Sequence, residues 1–398
     1  MARILLLSSR VPYPLIAGDR IRIYHMGKIL ETKYQVDLLA NDEHGSSEGH
    51  VDALRAVFND VILFKFGLRA LQWNALKHIV SRKPVQVMGY YLEEIHKWIR
   101  QNYLNYDLIY CNHVRMAEYV QDIEYPKVID FHDAISMHYR SAIKQAKGFW
   151  KAWYLWEKNR LLSYELECLS KFDKAFIVSQ IDKDYLLRNS NLKQPSVSHC
   201  PITVIPMGVK NEVLLRPIYE GEEQNWIVFL GKMNYYPNED AAIYFAKEIF
   251  PLVKEKIKDL EFVIVGAYPT KRVFKLEKIK DVRVTGFVED PYEYLERAKV
   301  VVAPMRFGAG IQDKILEAMA LRKAVVTTPL GAQGNEGEDG KHFVVADGRE
   351  ETVEKTLELL KDEEKRKKIG ENARALIEEK YTWDVIGEKL LKEIEEII

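Results

Sequence analysis

Short aliphatic and β-branched runs alternate with stretches of helical spacing along most of the chain. In the first half the runs fall at Arg3–Ser8, Gln35–Ala40, Val61–Phe64, Asp107–Tyr110, Lys127–Asp130, Lys174–Val178 and Thr203–Ile205. Between most of them lie segments long enough for helices, which predicts a parallel sheet covered on both faces. A polar stretch, Tyr219–Asn225, has no apolar period and reads as a linker. The alternation then restarts, with strands expected at Trp226–Leu230, Glu261–Val265, Val282–Thr285, Val300–Ala303, Ala324–Thr327 and His342–Val345, and helices such as Asp240–Lys258 and Lys314–Leu321 between them. The fold class is therefore α/β: two doubly wound parallel-sheet domains, residues 1–215 and 216–381, facing a cleft where strand C-terminal ends receive a ligand. The last segment, Thr382–Ile398, places Trp383, Val385, Ile386, Leu390, Leu391 and Ile394 at helical spacing; either domain would serve to bury that stripe, packing back on the first being one of the two arrangements.

At 398 residues the chain suffices for two domains and needs no disulfide or metal to hold its core. The N-terminal run MARILLL is too short for a signal peptide and reads as a first strand. Cys111, Cys168 and Cys200 are widely spaced, which excludes a zinc ribbon and points to a reducing cytoplasm. No run is long and apolar enough to span a membrane. A net charge of −1 argues against a nucleic-acid binder. That charge is divided unevenly: residues 1–220 carry +5 and residues 221–398 carry −6, so the first half is suited to an anionic partner.

Three places carry candidate chemistry. In Gly308-Ala309-Gly310-Ile311-Gln312-Asp313-Lys314-Ile315-Leu316-Glu317, a strand leads through a glycine-rich turn into a helix expected to begin near Ile311. Such a turn lets a ligand approach the backbone, and the N–H groups of a helix start bind phosphate. Glu317, two turns in, is placed to bridge ribose hydroxyls. A tight strand–helix turn without a ligand explains the glycines equally well. At Phe229-Leu230-Gly231-Lys232 a strand ends in glycine and then a cation that can meet a diphosphate. After the first strand, Gly18 permits close backbone approach, and Arg20 or Arg22 beside it can meet an anion.

Taken together, these segments resemble the GT-B glycosyltransferases, and within them the retaining group called family 4. The resemblance is strongest over residues 226–345. It rests on Gly231-Lys232, Val265-Gly266, Gly286-Phe287-Val288, Pro304, and Glu317-Ala318-Met319-Ala320 after the glycine-rich loop. The first domain matches more loosely, through the Gly18 loop, Phe131-His132-Asp133 and Val204-Ile205-Pro206-Met207-Gly208-Val209. The stretch from Met233 to Ala241, with GIQDK and EAMA, is similar to a bacterial branch tied to exopolysaccharide and exosortase gene clusters. The resemblance implies two Rossmann-like domains, a nucleotide-diphosphate sugar donor, and a glycan or lipid-linked acceptor in surface polysaccharide synthesis. It implies that Glu317 contacts the ribose, and that Lys232 and Lys314 neutralise the diphosphate with help from the Gly310 and Ile311 N–H groups. It implies that the Phe287–Val288 backbone reads the base, that Gly18, Gly231 and Gly308 line the donor, and that His132 contacts the sugar. The leaving diphosphate takes the acceptor proton, so no metal or other cofactor is required.

Two departures stand out. The family's glutamate pair is spaced E-x7-E, yet the position eight before Glu317 is Ala309. The second basic residue of the phosphate pair falls at Pro237, for which Arg306 or Lys314 can compensate. Two alternatives stand beside the transferase reading: a nucleotide-sugar epimerase, which shares the fold, and a silent GT-B module that binds a nucleotide sugar or scaffolds a partner, which Ala309 leaves open. Asp182-Lys183-Asp184 is not read as a metal motif, because residues two apart on a helix point different ways. The cluster of His132, Asp133 and His138 has poor ligand spacing and is assigned to sugar contact instead. His113 is read as structural. Finally, residues 144–162 set Phe149, Trp150, Trp153 and Trp156 on one side of a helical wheel and Lys144, Lys147, Lys151 and Lys158 on another. That is the pattern of an interfacial helix, and it adds peripheral contact with the inner face of the membrane to the expected cytoplasmic location. A helix burying its aromatics in the first domain has the same pattern.

Overall fold

The computed structural model describes residues 1–15, 18–43, 45–143, 146–193, 199–308 and 310–398, which form two compact units. The first comprises Met1–Pro206 and Ile386–Ile398, and the second Met207–Val385.

Seven parallel strands build the first unit: β1 (Arg3–Ser8), β2 (Gln35–Asp42), β3 (Asp60–Lys65), β4 (Leu108–Asn112), β5 (Lys127–Asp130), β6 (Lys174–Ile177) and β7 (Ile202–Val204). Their order is β3-β2-β1-β4-β5-β6-β7. Ile4 to Leu7 are wholly buried because helices cover both sheet faces, which is why the run is aliphatic without alternation. The winding reverses between β1 and β4, whose registers pair Ile4 with Leu108 and Ser8 with Asn112. Connections leave that point in opposite directions, so the loops part there and open a crevice at the strand C-termini.

The second unit repeats the plan with β8 (Gln224–Leu230), β9 (Glu261–Val265), β10 (Val282–Val284), β11 (Ala298–Ala303), β12 (Val325–Thr327) and β13 (Val344–Val345), in the order β10-β9-β8-β11-β12-β13. Its reversal lies between β8 and β11. The helix expected from Asp240 begins earlier, at Tyr236, and runs to Lys256 through one wider π turn at Phe245–Ile249. That turn swings Phe245 and Phe250 onto Phe262 of β9, with ring centroids 4.7 and 5.8 Å away. Burying each ring contributes roughly 1.5–3 kcal/mol, enough to hold the irregular turn in place.

The polar stretch 219–225 is not wholly a linker, since Gln224 and Asn225 already belong to β8. The units change at Pro206 and Met207, ahead of the expected residue 215. The reason is packing: Val209 and Val213 join the second core, and the Val209 N–H bonds the Tyr381 carbonyl.

The final helix, Trp383–Glu395, begins in the second unit and completes the first. Ile386, Leu390 and Ile394 are buried there. Lys174 at the start of β6 reaches Glu393 at 2.7 Å and Glu396 at 2.6 Å, and Thr203 of β7 donates to Glu393 at 2.9 Å.

Candidate functional site

In the second unit, the loops after β8 and β11 flank the reversal point. The loop after β8 lies against the end of β9. Gly266 has φ +144°, and a Cβ there would stand 1.9 Å from the Gly231 carbonyl oxygen. A Cβ at Gly231 would lie 2.7 Å from the Asn238 amide nitrogen, which donates to the Lys232 carbonyl. Gly266 is therefore demanded by the protein's own backbone, and Gly231 by the Asn238 side chain. Lys232 follows, exposed, with its ammonium 5.5 Å from the centre of the Tyr268 ring.

The helix after β11 spans Asp313–Ala320 with Gln312 as its N-cap, so it starts two residues later than Ile311. Among the described residues its ladder opens with the Ile315 N–H on the Gln312 carbonyl. Gly310 (φ +79°) and Ile311 stand ahead of the helix, and the Gln312 amide turns back to the Gly310 carbonyl. Gly308 has φ +106°. Ala309, the departure from the glutamate pair, lies outside the described residues.

Lys314 donates to the Gln312 side-chain oxygen at 2.8 Å. Part of its side chain keeps solvent contact, yet desolvation of the ammonium lowers its pKa to about 8, opposed by Asp313 and Glu317. Glu317, one turn on, is buried. Its Oε1 accepts from the Tyr292 hydroxyl at 3.0 Å and meets the Lys210 ammonium at 3.2 Å. Lys210 also donates to the Tyr292 oxygen at 3.0 Å, closing a triangle. Burial pushes the Glu317 carboxyl up, and Lys210 draws it back. The same carboxylate keeps Lys210 charged, its pKa raised against the cost of desolvation.

This triangle was not legible in the sequence. Lys210 is the residue after Gly208-Val209, and Tyr292 follows Pro291 a few residues past the Gly286 turn. Both are placed by tertiary contacts. Gly208 makes room for the Trp383 indole, whose ring atoms lie 2.4 Å from where a Cβ would be. Arg216 holds the Tyr292 segment, with a two-point fork on Glu296 at 2.6 and 2.8 Å and a bond to Asp290 at 2.8 Å.

One expectation is revised here. Arg306 is not poised for a phosphate: its guanidinium grips Asp240 through two bonds, at 2.9 and 2.7 Å, and covers the Tyr244 ring at 4.3 Å. The Phe287 side chain is 76% exposed while Val288 packs on the core beside the Gly286 turn (φ +69°), which leaves the expected role of their backbone as it was. A cavity of about 520 Å³ elsewhere in the unit is lined by ion pairs, among them Glu223 with Lys323 at 2.6 Å and Arg366 at 2.8 Å.

In the first unit, Ser8, Arg10, Asp19, Arg20, Asn112 and His132 wall a small crevice at the β1/β4 reversal. Gly18 opens the helix Gly18–Glu31, and nothing lies within 4 Å of where its Cβ would be. No contact inside the described protein requires a glycine there. Arg22, expected beside an anion, is instead wholly buried and forks onto Asp130 at 2.9 and 3.1 Å. Its remaining nitrogen donates to the Ile205 and Pro206 carbonyls, and Tyr110 completes Asp130 at 2.8 Å. The Asp130 carboxylate in turn accepts the His132 N–H at 3.1 Å, fixing His132 at φ +67°. His113 caps a short helix by accepting the Arg115 N–H.

The acidic pair 182–184 does part as expected. Asp184 accepts from Gln180 in solvent, whereas Asp182 is buried and accepts the Ala134 N–H and the Ser179 hydroxyl. Asp182 approaches Asp133 and His138, with ligand-type atoms of all three within 4.8 Å of one another, a grouping that sequence spacing concealed. Both Asp182 oxygens already serve as turn acceptors.

Residues 224–362 match the family model described as glycosyl transferases group 1. An uncharacterised 44.6 kDa protein from the cps region of Klebsiella pneumoniae is 23% identical over 99% of this chain and 100% of its own length. CapM of Staphylococcus aureus, a capsular polysaccharide biosynthesis glycosyltransferase, is 28% identical over 38% of this chain and 42% of its own. HepE of Anabaena, solved in complex with UDP, superposes with a TM-score of 0.69 at 14% identity, covering 99% of this chain and 100% of that one. The chain thus has the GT-B fold, and its second unit carries a glycosyltransferase group 1 domain.

Proposed function

We propose that the protein is a retaining glycosyltransferase that moves a sugar from a nucleotide-diphosphate donor to a glycan or lipid-linked acceptor in surface polysaccharide synthesis. The observation that carries this reading is the Lys210–Tyr292–Glu317 triangle beneath the glycine-rich turn at the β8/β11 reversal, inside the domain that matches the family model. A buried carboxylate held by two donors on one oxygen is oriented to take ribose hydroxyls with the other. The capsule-linked relatives support the polysaccharide assignment, and UDP in HepE supports a nucleotide diphosphate.

As the sugar–phosphate bond breaks, charge collects on the diphosphate. Lys232, Lys314 and the N–H groups of Gly310 and Ile311 are the groups we assign to stabilise it. The leaving diphosphate itself takes the acceptor proton. Losing one such cation costs about 2.7–4 kcal/mol of barrier when it acts as an oxyanion stabiliser. Lys232→Ala is the direct case, because Lys232 is exposed and its removal leaves no buried partner.

The test is a thermal-shift panel with UDP, GDP, ADP and dTDP, on the native chain and on Glu317→Gln, followed by transfer assays with the sugar of the stabilising nucleotide. A shift with one diphosphate, weakened in the variant, followed by a product of retained anomeric configuration by NMR, supports the proposal. Donor binding without turnover on any acceptor points to a silent module. No shift with any nucleotide refutes the site.

A further inference from the structure

We propose that the first unit docks on an anionic lipid bilayer through one surface built from the helix Leu68–Lys77, the turn after it, and the start of the helix Gly148–Lys171. This inference is independent of sugar transfer, since a bilayer contact needs no donor.

The apolar content is high for a solvent-facing surface. Trp73 is 65% exposed, Val80 90%, Phe149 71% and Trp150 60%, with Leu76, Ile79 and Trp156 exposed beside them. Large side chains of this kind are normally scattered singly, and a contiguous group marks an interaction site. The turn and the long helix are joined here. Arg160 donates to the carbonyls of Ile79, Ser81 and Lys83, strapping the turn to the long helix, and its guanidinium covers the Trp156 ring at 4.1 Å. From Trp156 the rings continue to Trp153 and Phe149, at 5.3 and 6.2 Å between centroids.

The charge is of one sign. Residues 66–92 and 134–156 contain no Asp or Glu, while they carry Arg69, Lys77, Arg82, Lys83, Arg140, Lys144, Lys147 and Lys151. Lys77, Arg82, Lys147 and Lys151 are exposed. The nearest carboxylates turn inward: Glu157 is buried and accepts from the Val85 and Gln86 N–H groups and Arg160, and Glu118 is taken by Lys83.

Tryptophan beside lysine and arginine, without carboxylates, is the chemistry of the headgroup interface, where indole rings sit between hydrocarbon and water and cations meet lipid phosphates. A second copy of the chain would set this positive surface against itself, which like-charge repulsion opposes. No helix among the described residues is long and apolar enough to cross a membrane, so the contact lies on the bilayer. The sequence wheel from Lys144 is corrected in one respect. The helix starts at Gly148, Lys147 precedes it, Lys144 lies outside the described residues, and Trp153 is half-buried.

The experiment is vesicle flotation of the full chain, with phosphatidylcholine alone and with phosphatidylcholine mixed with phosphatidylglycerol, at low and high salt. The variants are Trp73→Ser with Val80→Ser, and Lys77→Glu with Lys151→Glu. All four positions are exposed, and circular dichroism confirms that the fold is kept. The native chain is expected to float with the anionic vesicles only and to be released by salt. Each cation near the surface accounts for about a fivefold change in partition, so the double charge variant falls by about 25-fold or more. Failure to float with anionic vesicles overturns the proposal, as does flotation that both variants retain. A dimer lost in the Trp73→Ser, Val80→Ser variant, with no vesicle binding, assigns the surface to protein contact and also overturns it.

Discussion

Lys314 gives the donor-site proposal a sharp consequence in pH. Desolvation holds its pKa near 8 when no ligand is present. A diphosphate beside it would favour the ammonium and drive that value well above 9. The sign follows from linkage: the bound state holds more protons than the free state between the two pKa values, so affinity falls as pH rises through that window. About 90% of Lys314 is charged at pH 7, about half at pH 8, and about 10% at pH 9, since each unit is tenfold in the ratio of the two forms. The dissociation constant for the nucleoside diphosphate should therefore weaken about tenfold between pH 7 and pH 9, with about half a proton taken up per ligand at pH 8. Phosphate ionisation contributes little there, because its second pKa is about 6. Isothermal titration calorimetry at three pH values, in two buffers of different ionisation enthalpy, reads both quantities. Lys314→Arg keeps its charge throughout and should flatten the profile. An unchanged affinity with no proton uptake in the native chain would refute the assignment of Lys314 to the diphosphate.

Three further outcomes follow from the geometry. Gly266→Ala sets a methyl 1.9 Å from a carbonyl oxygen at φ +144°, and should cost at least about 2–3 kcal/mol by urea denaturation, whereas Gly18→Ala should leave stability within about 0.5 kcal/mol. A native-like midpoint for Gly266→Ala would contradict the close approach. Arg22→Ala strips a buried carboxylate of its fork and should cost about 3–5 kcal/mol at pH 7. Burial alone would raise the Asp130 pKa, but Arg22 and Tyr110 bring it below the usual range, so its contribution is present above about pH 4 and is lost as pH falls through the folded value. The gap between native and Arg22→Ala melting temperatures should therefore narrow in acid, and a constant gap would count against the pair. Glu317→Gln leaves the Lys210 ammonium with only the exposed Glu212 carboxylate, at 3.8 Å, as counter-charge. Lys210 keeps 40% side-chain exposure, so the loss should stay below the roughly 3 kcal/mol of a fully buried broken pair, and a larger drop in midpoint would mean a deeper structural role.

Local pattern and long-range pairing were not equally readable. The aliphatic runs of β1, β5 and β9 are bounded by residues with other jobs, so their ends coincide with the observed strands. At β8 and β11 the observed strands begin earlier, because backbone pairing between Gln224 and Ala298 extends past the apolar residues. The glycine-rich turn and Glu317 were visible because their chemistry lies within a dozen consecutive residues. Lys210 and Tyr292 were not, since what brings them to Glu317 is the Trp383 seat at Gly208 and the Arg216 fork. Arg22 was misread for the same reason: its partner is 108 residues away, and nothing near Arg22 in the chain announces it.

The final helix also sets a clock on synthesis. Lys174 and the groups that receive it, Glu393 and Glu396, are 219 and 222 residues apart in the chain. A ribosome adding about 5–20 residues per second needs roughly 10–45 s to cover that distance. Throughout that interval the newborn first unit has a sheet edge at β6 and β7 whose covering helix has not yet been made, while the whole second unit emerges and folds. The first unit is thus the earlier to be translated and the later to be finished, and its nascent form keeps that edge uncovered until the last residues are added.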